Sequence, residues 1–311
     1  MSKRRLRNGL TIGLSVIVLL AFVYYISKHE YILRQLRHTP ISLIIWLILL
    51  YAVWFAALMF IITASIRLCK KKLELKENFL LNAYSTLFNF FVPGQGGIAI
   101  RGIYLKKKKN LLIKKFIFVS LLYYSFYAVI SILFALSGNQ PLWKKFLATL
   151  LVLVVCLLVM LLFTRNTKIK QWGLNFSASN LLMLVLATLF QSVVQAVIFG
   201  IELHSVNQNI AIHQIIAYTG VANFAVFAAL TPGAIGIRES FLVIGHNLHG
   251  ISNANTIAAN IIDRGVFIVF LVILFLVTLA FHARSNMFVD KEVQEQNEIR
   301  HDNINSSANE Q

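Results

Sequence analysis

Two stretches decide the fold: Phe91-Val92-Pro93-Gly94-Gln95-Gly96-Gly97, followed by Arg101, and Leu230-Thr231-Pro232-Gly233-Ala234-Ile235-Gly236, followed by Arg238-Glu239. Each Pro-Gly turn interrupts an apolar run and sets an arginine within about two helical turns. Proline ends a helix, and glycine accepts tight or left-handed backbone. Backbone broken at membrane depth survives only where protein buries it or where it lines a cavity.

The surrounding chain is that of a polytopic membrane protein. Its 311 residues are 58% hydrophobic and only 13% charged, with a mean hydropathy of +0.72. Soluble domains carry about 25% charged residues. A span needs about 20 mostly apolar residues, and six segments qualify: Leu10–Ile26, Ile41–Ile66, Phe116–Leu136, Phe146–Thr164, Asn180–Gly200 and Ile257–Phe281. The first follows Lys3, Arg4, Arg5 and Arg7 and has no small-residue cleavage site before Ser27–His38. It reads as a retained anchor, not a signal peptide.

The net charge of +17 comes from 29 basic and 12 acidic residues. Three of the basic and six of the acidic residues follow Phe281, which leaves the body at +20. This charge sits in short loops between apolar spans, so it reports topology and not nucleic-acid binding. Arg67, Lys70, Lys71, Lys72 and Lys76 precede the first Pro-Gly turn, and Lys106–Lys109, Lys114 and Lys115 follow it. Both flanks of Phe79–Leu105 are therefore cytoplasmic, and the segment should enter and return on one side as a re-entrant hairpin. The second hairpin, Ile210–Leu248, has weakly charged flanks and should dip from outside, after an exit loop at Glu202–Gln208. Eighteen basic residues of the body then lie inside and five outside. Arg101, Arg238 and Arg264 remain at or near membrane depth. Ile210–Leu230 is also long enough to cross alone, which would move everything after it.

The expected architecture is all-α: a membrane helix bundle of about six full spans plus two re-entrant broken-helix hairpins in an inverted repeat. The membrane domain covers 1–281, with pseudo-repeats of about 8–137 and 142–281, and the polar tail 282–311 reads as disordered. Both termini are expected in the cytoplasm, and the membrane is expected to be the cytoplasmic (inner) one. Paired broken helices in corresponding halves mark the binding site of many secondary transporters.

A helix restarting after each turn aims partial positive charge at the membrane interior and suits an anion. Arg101, Arg238 and Arg264 add forked donors that fit phosphate. Glu239 and Asp263 stand beside them, to orient an arginine or accept a cationic headgroup, and Asp263-Arg264 could also pair structurally. Pro93, Gly94, Gly97, Pro232, Gly233 and Gly236 shape the turns. Gln191 and Gln195, four apart on one face, read as inter-helix hydrogen bonding, and Asn82 and Asn89 read similarly.

Other chemistry finds little support. The histidines lack metal spacing, so no metal is expected. Cys69 and Cys156 suggest neither a disulfide framework nor a zinc site. No phosphate-binding loop with a lysine occurs, no nucleophile–base pair stands out, and no cofactor is implied.

The two Pro-Gly turns, Arg101, the Gly-Ile-Arg-Glu run at 236–239 and Arg264 resemble the transmembrane region of lysylphosphatidylglycerol synthases, also called the flippase-like integral membrane family. The resemblance spans roughly residues 8–282. The first motif departs from it: family members often carry an acidic residue just after the glycine equivalent to Gly97, where this chain has Ile98. The resemblance implies a stand-alone member, without the soluble aminoacyltransferase domain. It implies movement of an anionic phospholipid or lipid-linked headgroup between leaflets, with a possible lipid-modifying enzyme as partner. Relatives linked to hopanoid or polyisoprenoid-sugar pathways leave the lipid class open. Two other readings stand beside this one. An integral membrane aminoacyl- or glycosyltransferase would need a carboxylate such as Glu202 or Glu239 at the surface. An accessory subunit would show activity only with a partner.

Overall fold

The computed structural model describes residues 39–92, 96–138, 141, 143, 174–228, 231, 234 and 236–283. The expected spans Leu10–Ile26 and Phe146–Thr164, the turn residues Pro93, Gly94, Pro232 and Gly233, and the tail lie outside the described residues. Among the described residues every regular element is helical.

Four helices are long and apolar enough to cross a membrane. They are α1 (Ile41–Leu68), α4 (Ile113–Leu136), α5 (Ala178–Val206) and α9 (Asn253–Ala283). α1 begins directly after Pro40, whose carbonyl accepts the Leu43 N–H at 3.0 Å, and it runs without glycine or proline to the basic residues after Arg67. At about 1.5 Å per residue its 28 residues reach about 42 Å, beyond the ~30 Å hydrocarbon core. α5 starts where the Ser177 hydroxyl accepts the Asn180 N–H at 3.3 Å. Ile41, Ile45, Trp46, Leu49, Val53 and Phe60 of α1 point outward, while Leu47, Tyr51, Phe55 and Ile62 are buried. An exposed apolar face opposite a buried one is what lipid contact requires.

The expected exit loop at Glu202–Gln208 is corrected. α5 continues to Val206, and Glu202 is 1% exposed. Ile201, Glu202 and Leu203 give no breaking signal, and the carboxylate that suggested a loop turns inward instead of meeting water. Among the described residues, Ile41–Ile66, Phe116–Leu136 and Ile257–Phe281 match α1, α4 and α9 within four residues at each end, and the end of α5 moves from Gly200 to Val206.

The first Pro-Gly stretch joins two antiparallel helices, α2 (Leu75–Phe91) and α3 (Gly96–Lys109). Their rungs run from tip to base. At the tip the Gly97 N–H donates to Asn89 Oδ1 at 2.7 Å, and the Ser85 hydroxyl donates to the Gly97 carbonyl at 3.2 Å. Midway, Arg101 Nη2 donates to Asn82 Oδ1 at 3.1 Å. At the base, Glu77 accepts from the Tyr104 hydroxyl at 2.6 Å and from Lys109 Nζ at 2.8 Å. Gly97 is required for this approach: a Cβ there would lie 2.4 Å from the Ser85 carbonyl oxygen. Gly97→Val is therefore expected to lower the unfolding stability in detergent by about 1–3 kcal/mol, the usual cost of overpacking.

The second Pro-Gly stretch follows α6 (Ile212–Phe224) and a 3-10 turn at Ala225–Ala228, and precedes α7 (Ile237–Ile244) and α8 (His246–His249). The return is antiparallel here too. Gln214 Nε2 donates to the Gly250 carbonyl at 3.0 Å, Tyr218 meets the His249 ring at 5.5 Å, and Gly245 abuts Val221. The 13 residues of α6 reach about 20 Å, so this helix alone falls short of a crossing. Gly236, at φ 78°, occupies left-handed backbone just before α7.

The helices pack in a reciprocal pattern. α1 lies against α5; α2 packs on α1 and α9, while α6 packs on α5 and α4.

Candidate functional site

α7 presents Arg238 and Glu239 in its first turn, and α9 presents Asn260, Asp263 and Arg264 on one face at helical spacing. The neighbours in sequence do not pair with each other. Arg238 Nη1 donates to Asp263 Oδ2 at 2.5 Å, and Arg264 Nε donates to Glu239 Oε1 at 3.3 Å. The same Glu239 oxygen accepts from Asn260 Nδ2 at 2.7 Å. This cross-pairing bolts the second hairpin to the last span, and Arg264 Nη2 adds a contact to the Ala234 carbonyl at 3.4 Å. Asp263 and Arg264, adjacent in sequence, thus bond across to Arg238 and Glu239 on the second hairpin.

Asp263 is held from a third side. The Tyr51 hydroxyl of α1 donates to its Oδ1, and Tyr51 packs against Phe267 and Phe270 of α9 at 5.1 and 5.6 Å. The Arg238 guanidinium also lies over the Phe199 ring of α5, 4.9 Å from its centroid, a cation–π contact. Glu202 of α5 completes the group. It lies within electrostatic reach of Asp263 and Arg238, and its Oε1 has no hydrogen-bond partner. Tyr51→Phe is expected to cost about 1.5–3 kcal/mol of stability in a detergent unfolding curve, the usual worth of a hydrogen bond to a charged group.

Arg101 sits in a different environment. It is buried in the middle of the first hairpin. Its hydrogen-bonded partner, Asn82, is neutral and is itself oriented by a relay: Asn82 Nδ2 donates to Asn78 Oδ1 at 2.6 Å, and Asn78 Nδ2 donates to the Met59 carbonyl and to Thr63 Oγ1, both at 2.9 Å. No carboxylate pairs with Arg101 among the described residues, and its Nε has no hydrogen-bond partner.

Between the two arginines runs a row of polar side chains on α4 and α5. The Tyr123 hydroxyl donates to Gln191 Oε1 at 3.0 Å and the Tyr127 hydroxyl to Gln195 Oε1 at 3.1 Å. The two glutamines thus make the inter-helix bonds expected of them. Asn82 and Asn89 bond within the first hairpin. Tyr123 and Tyr124 lie within electrostatic reach of Arg101, and Tyr127 within reach of Arg238. Phe227, from the 3-10 turn, packs on Tyr124 and Tyr127 at 5.9 and 6.0 Å. The tyrosines were missed in the sequence, where Tyr123, Tyr124 and Tyr127 pass for ordinary aromatic filling; their i, i+4 match to the glutamine pair was the available signal.

A family model, the lysylphosphatidylglycerol synthase TM region, matches residues 9–275. The chain belongs to that family. It is a multi-pass membrane protein related through the family to lipid handling. Comparison with curated proteins returns no match. Within this family member the residues after both Pro-Gly turns are committed differently: Arg238 and Arg264 carry carboxylate partners, whereas Arg101 carries an amide. The helix starts are also partly occupied. Asn89 takes the Gly97 N–H, and Glu239 sits in the first turn of α7. His246 and His249 bond to the backbone, at Ile251 and Leu242, both at 2.9 Å. No metal-binding group of three occurs among the described residues. Cys69, just past α1, is buried, and burial pushes its thiol pKa up to about 11, away from the reactive thiolate.

Proposed function

We propose that this protein moves a phosphate-bearing lipid between membrane leaflets, with Arg101 and Arg238 as the headgroup contacts. One observation carries the reading: an arginine from each broken hairpin lies within electrostatic reach of the same row of tyrosines on α4. A phosphate approaching that row meets Arg101, which lacks a counter-ion among the described residues, and the unpartnered Nη2 of Arg238. Guanidinium forks match phosphate oxygens bidentately. The tyrosine hydroxyls and glutamine amides give the headgroup polar neighbours along its path. Arg264 and Glu239 hold the second hairpin in place, and Asp263 orients Arg238.

The reciprocal packing of α2 on α9 and α6 on α4 supports an inverted repeat with two re-entrant hairpins. In that arrangement both termini lie in the cytoplasm and the hairpins enter from opposite faces of the inner membrane, in agreement with the basic loops beside α3. A lipid-modifying enzyme would supply the lipid on the inner side.

The test is transport in vesicles. Purified protein is placed in phosphatidylcholine vesicles with a fluorescent phosphatidylglycerol in the inner leaflet, and outward movement is read by dithionite quenching. The wild-type protein is expected to move the label, and Arg238→Ala to move it at least tenfold more slowly while still inserting in the membrane. Wild-type rates in Arg238→Ala would remove the arginine from the mechanism.

A further inference from the structure

We infer that Glu202 is a proton-binding site that couples lipid movement to a proton gradient, an inference that rests on the transport reading above. The charge arrangement around Asp263 leads to it. Three carboxylates, Glu202, Glu239 and Asp263, meet two guanidiniums, Arg238 and Arg264. Both guanidiniums are already engaged by Asp263 and Glu239. Glu202 is left over. It is 1% exposed, its Oε1 accepts nothing, and neither guanidinium bonds to it. An ionised carboxylate removed from water without a counter-ion or donors is strongly disfavoured, and a buried acid escapes by taking a proton. An ionisable group held at such a place within a span is characteristic of proton relays.

The charged and titratable groups that face Glu202 come from the elements packed around it, and the cation among them, Arg238, is bonded to Asp263. From α9, Asp263 repels a second negative charge, and from α7, Arg238 is turned toward Asp263. From α1 and α6, Tyr51, whose hydroxyl is given to Asp263, and Tyr218 lie within electrostatic reach of Glu202. His249 of α8 lies behind Tyr218, bonded to the Leu242 carbonyl at 2.9 Å, and Tyr127 of α4 faces Arg238. None of these brings Glu202 a positive charge of its own.

The coupling follows from competition for Arg238. When a phosphate takes the guanidinium, Asp263 loses its partner, and two neighbouring carboxylates, Glu202 and Asp263, face each other. The proton of Glu202 passes to Asp263, and a second proton taken up from water restores Glu202, because an unpaired ionised carboxylate in a dry site is strongly disfavoured. One proton entering with one negative headgroup charge leaves the net charge of the cluster unchanged. When the phosphate leaves on the other side, Arg238 returns to the ionised Asp263, whose proton departs through Glu202, and Glu202 keeps its own. No bond other than O–H forms or breaks, and no oxidant or cofactor is needed.

Two measurements test this separately from the transport reading. The first is infrared spectroscopy of the protein in phosphatidylcholine bilayers at neutral pH, which reads the carbonyl stretch of protonated carboxyl groups with or without any transport. Wild-type protein is expected to show that band, Glu202→Gln to lose it, and Glu202→Asp to keep it at a shifted frequency, which guards against a folding defect in the glutamine variant. A wild-type spectrum without the band, or a band unchanged by both substitutions, overturns the proton site. The second measurement imposes a pH difference across the vesicles of the transport assay. The gradient is expected to speed movement of phosphatidylglycerol several-fold in wild type and to have no effect in Glu202→Gln. Transport that ignores the gradient in wild type overturns the coupling. Failure of the transport reading itself is distinguishable: no lipid moves at any pH while the infrared band remains.

Discussion

Arg101→Ala is expected to slow lipid movement at least tenfold and to leave the protein as stable as the wild type, or more so. The two halves of this expectation have different origins. Arg101 contributes its full charge and the free Nε to an incoming phosphate, and alanine contributes neither. For stability, the balance runs the other way. The substitution leaves Asn82 Oδ1 without its donor, a loss of about 1–3 kcal/mol. It also removes a buried cation that no carboxylate compensates among the described residues, whose effective desolvation penalty is several kcal/mol. The second quantity is the larger, so unfolding should not come earlier. Vesicle transport and a detergent unfolding curve on the same preparation check both halves. Undiminished transport would take Arg101 out of the binding site, and a clear loss of stability would make it a structural residue.

Asp263→Ala should behave in the opposite sense, as the most destabilising single change in the cluster. It strips Arg238 of the carboxylate at 2.5 Å and Tyr51 of its acceptor, both in the interior. Breaking one side of a buried pair costs about 3–5 kcal/mol, a large part of a typical total stability of about 5–15 kcal/mol. The double variant Arg238→Met with Asp263→Leu is expected to recover most of that stability, because replacing a whole buried pair by apolar side chains is close to neutral. It is not expected to recover transport. The companion pair is weaker: the Glu239 side chain is 30% exposed and its contact with Arg264 is 3.3 Å. Water screens the pair on the Glu239 side alone, since the Arg264 side chain is 8% exposed, so Glu239→Ala should cost less than Asp263→Ala. Unfolding curves for Asp263→Ala, the double variant and Glu239→Ala, each paired with a transport rate, separate these outcomes. A double variant as unstable as Asp263→Ala would contradict the account of the pair.

Much of this was written in the chain. Runs of twenty or more apolar residues specify spans because the bilayer core has a fixed thickness, and α1, α4 and α9 lie where those runs lie. The Pro-Gly turns announce both hairpins, because proline withdraws the N–H that a continuous helix needs. Arginines within apolar sequence identify the cluster, since such charges are retained only with partners. The partners themselves were not legible. Arg238 is 25 residues from Asp263, and Tyr51 is 212 residues from it, so only the packing of α1 and α7 on α9 brings them together. Hydropathy also misplaces Glu202. A charge at the end of an apolar run looks the same in sequence whether it exits to water or turns inward, and the difference is made by what the neighbouring helices present. The Asn78–Asn82–Arg101 relay was half visible, as an asparagine on a hairpin, but its direction follows from the antiparallel fit that Gly97 permits.

The central claim is that this family member carries a lipid headgroup across the membrane, and its most direct test is leaflet-resolved lipid profiling in cells with and without the protein. An impermeant, headgroup-reactive reagent labels the lipids that face outward, and total lipid extraction measures how much of each is made. The account predicts a phosphate-bearing lipid that is synthesised at normal levels without the protein but remains on the inner leaflet, with its outward share restored by wild type and not by Arg238→Ala. A lipid that disappears from the total extract when the protein is absent, or an outward share that does not change, would contradict it.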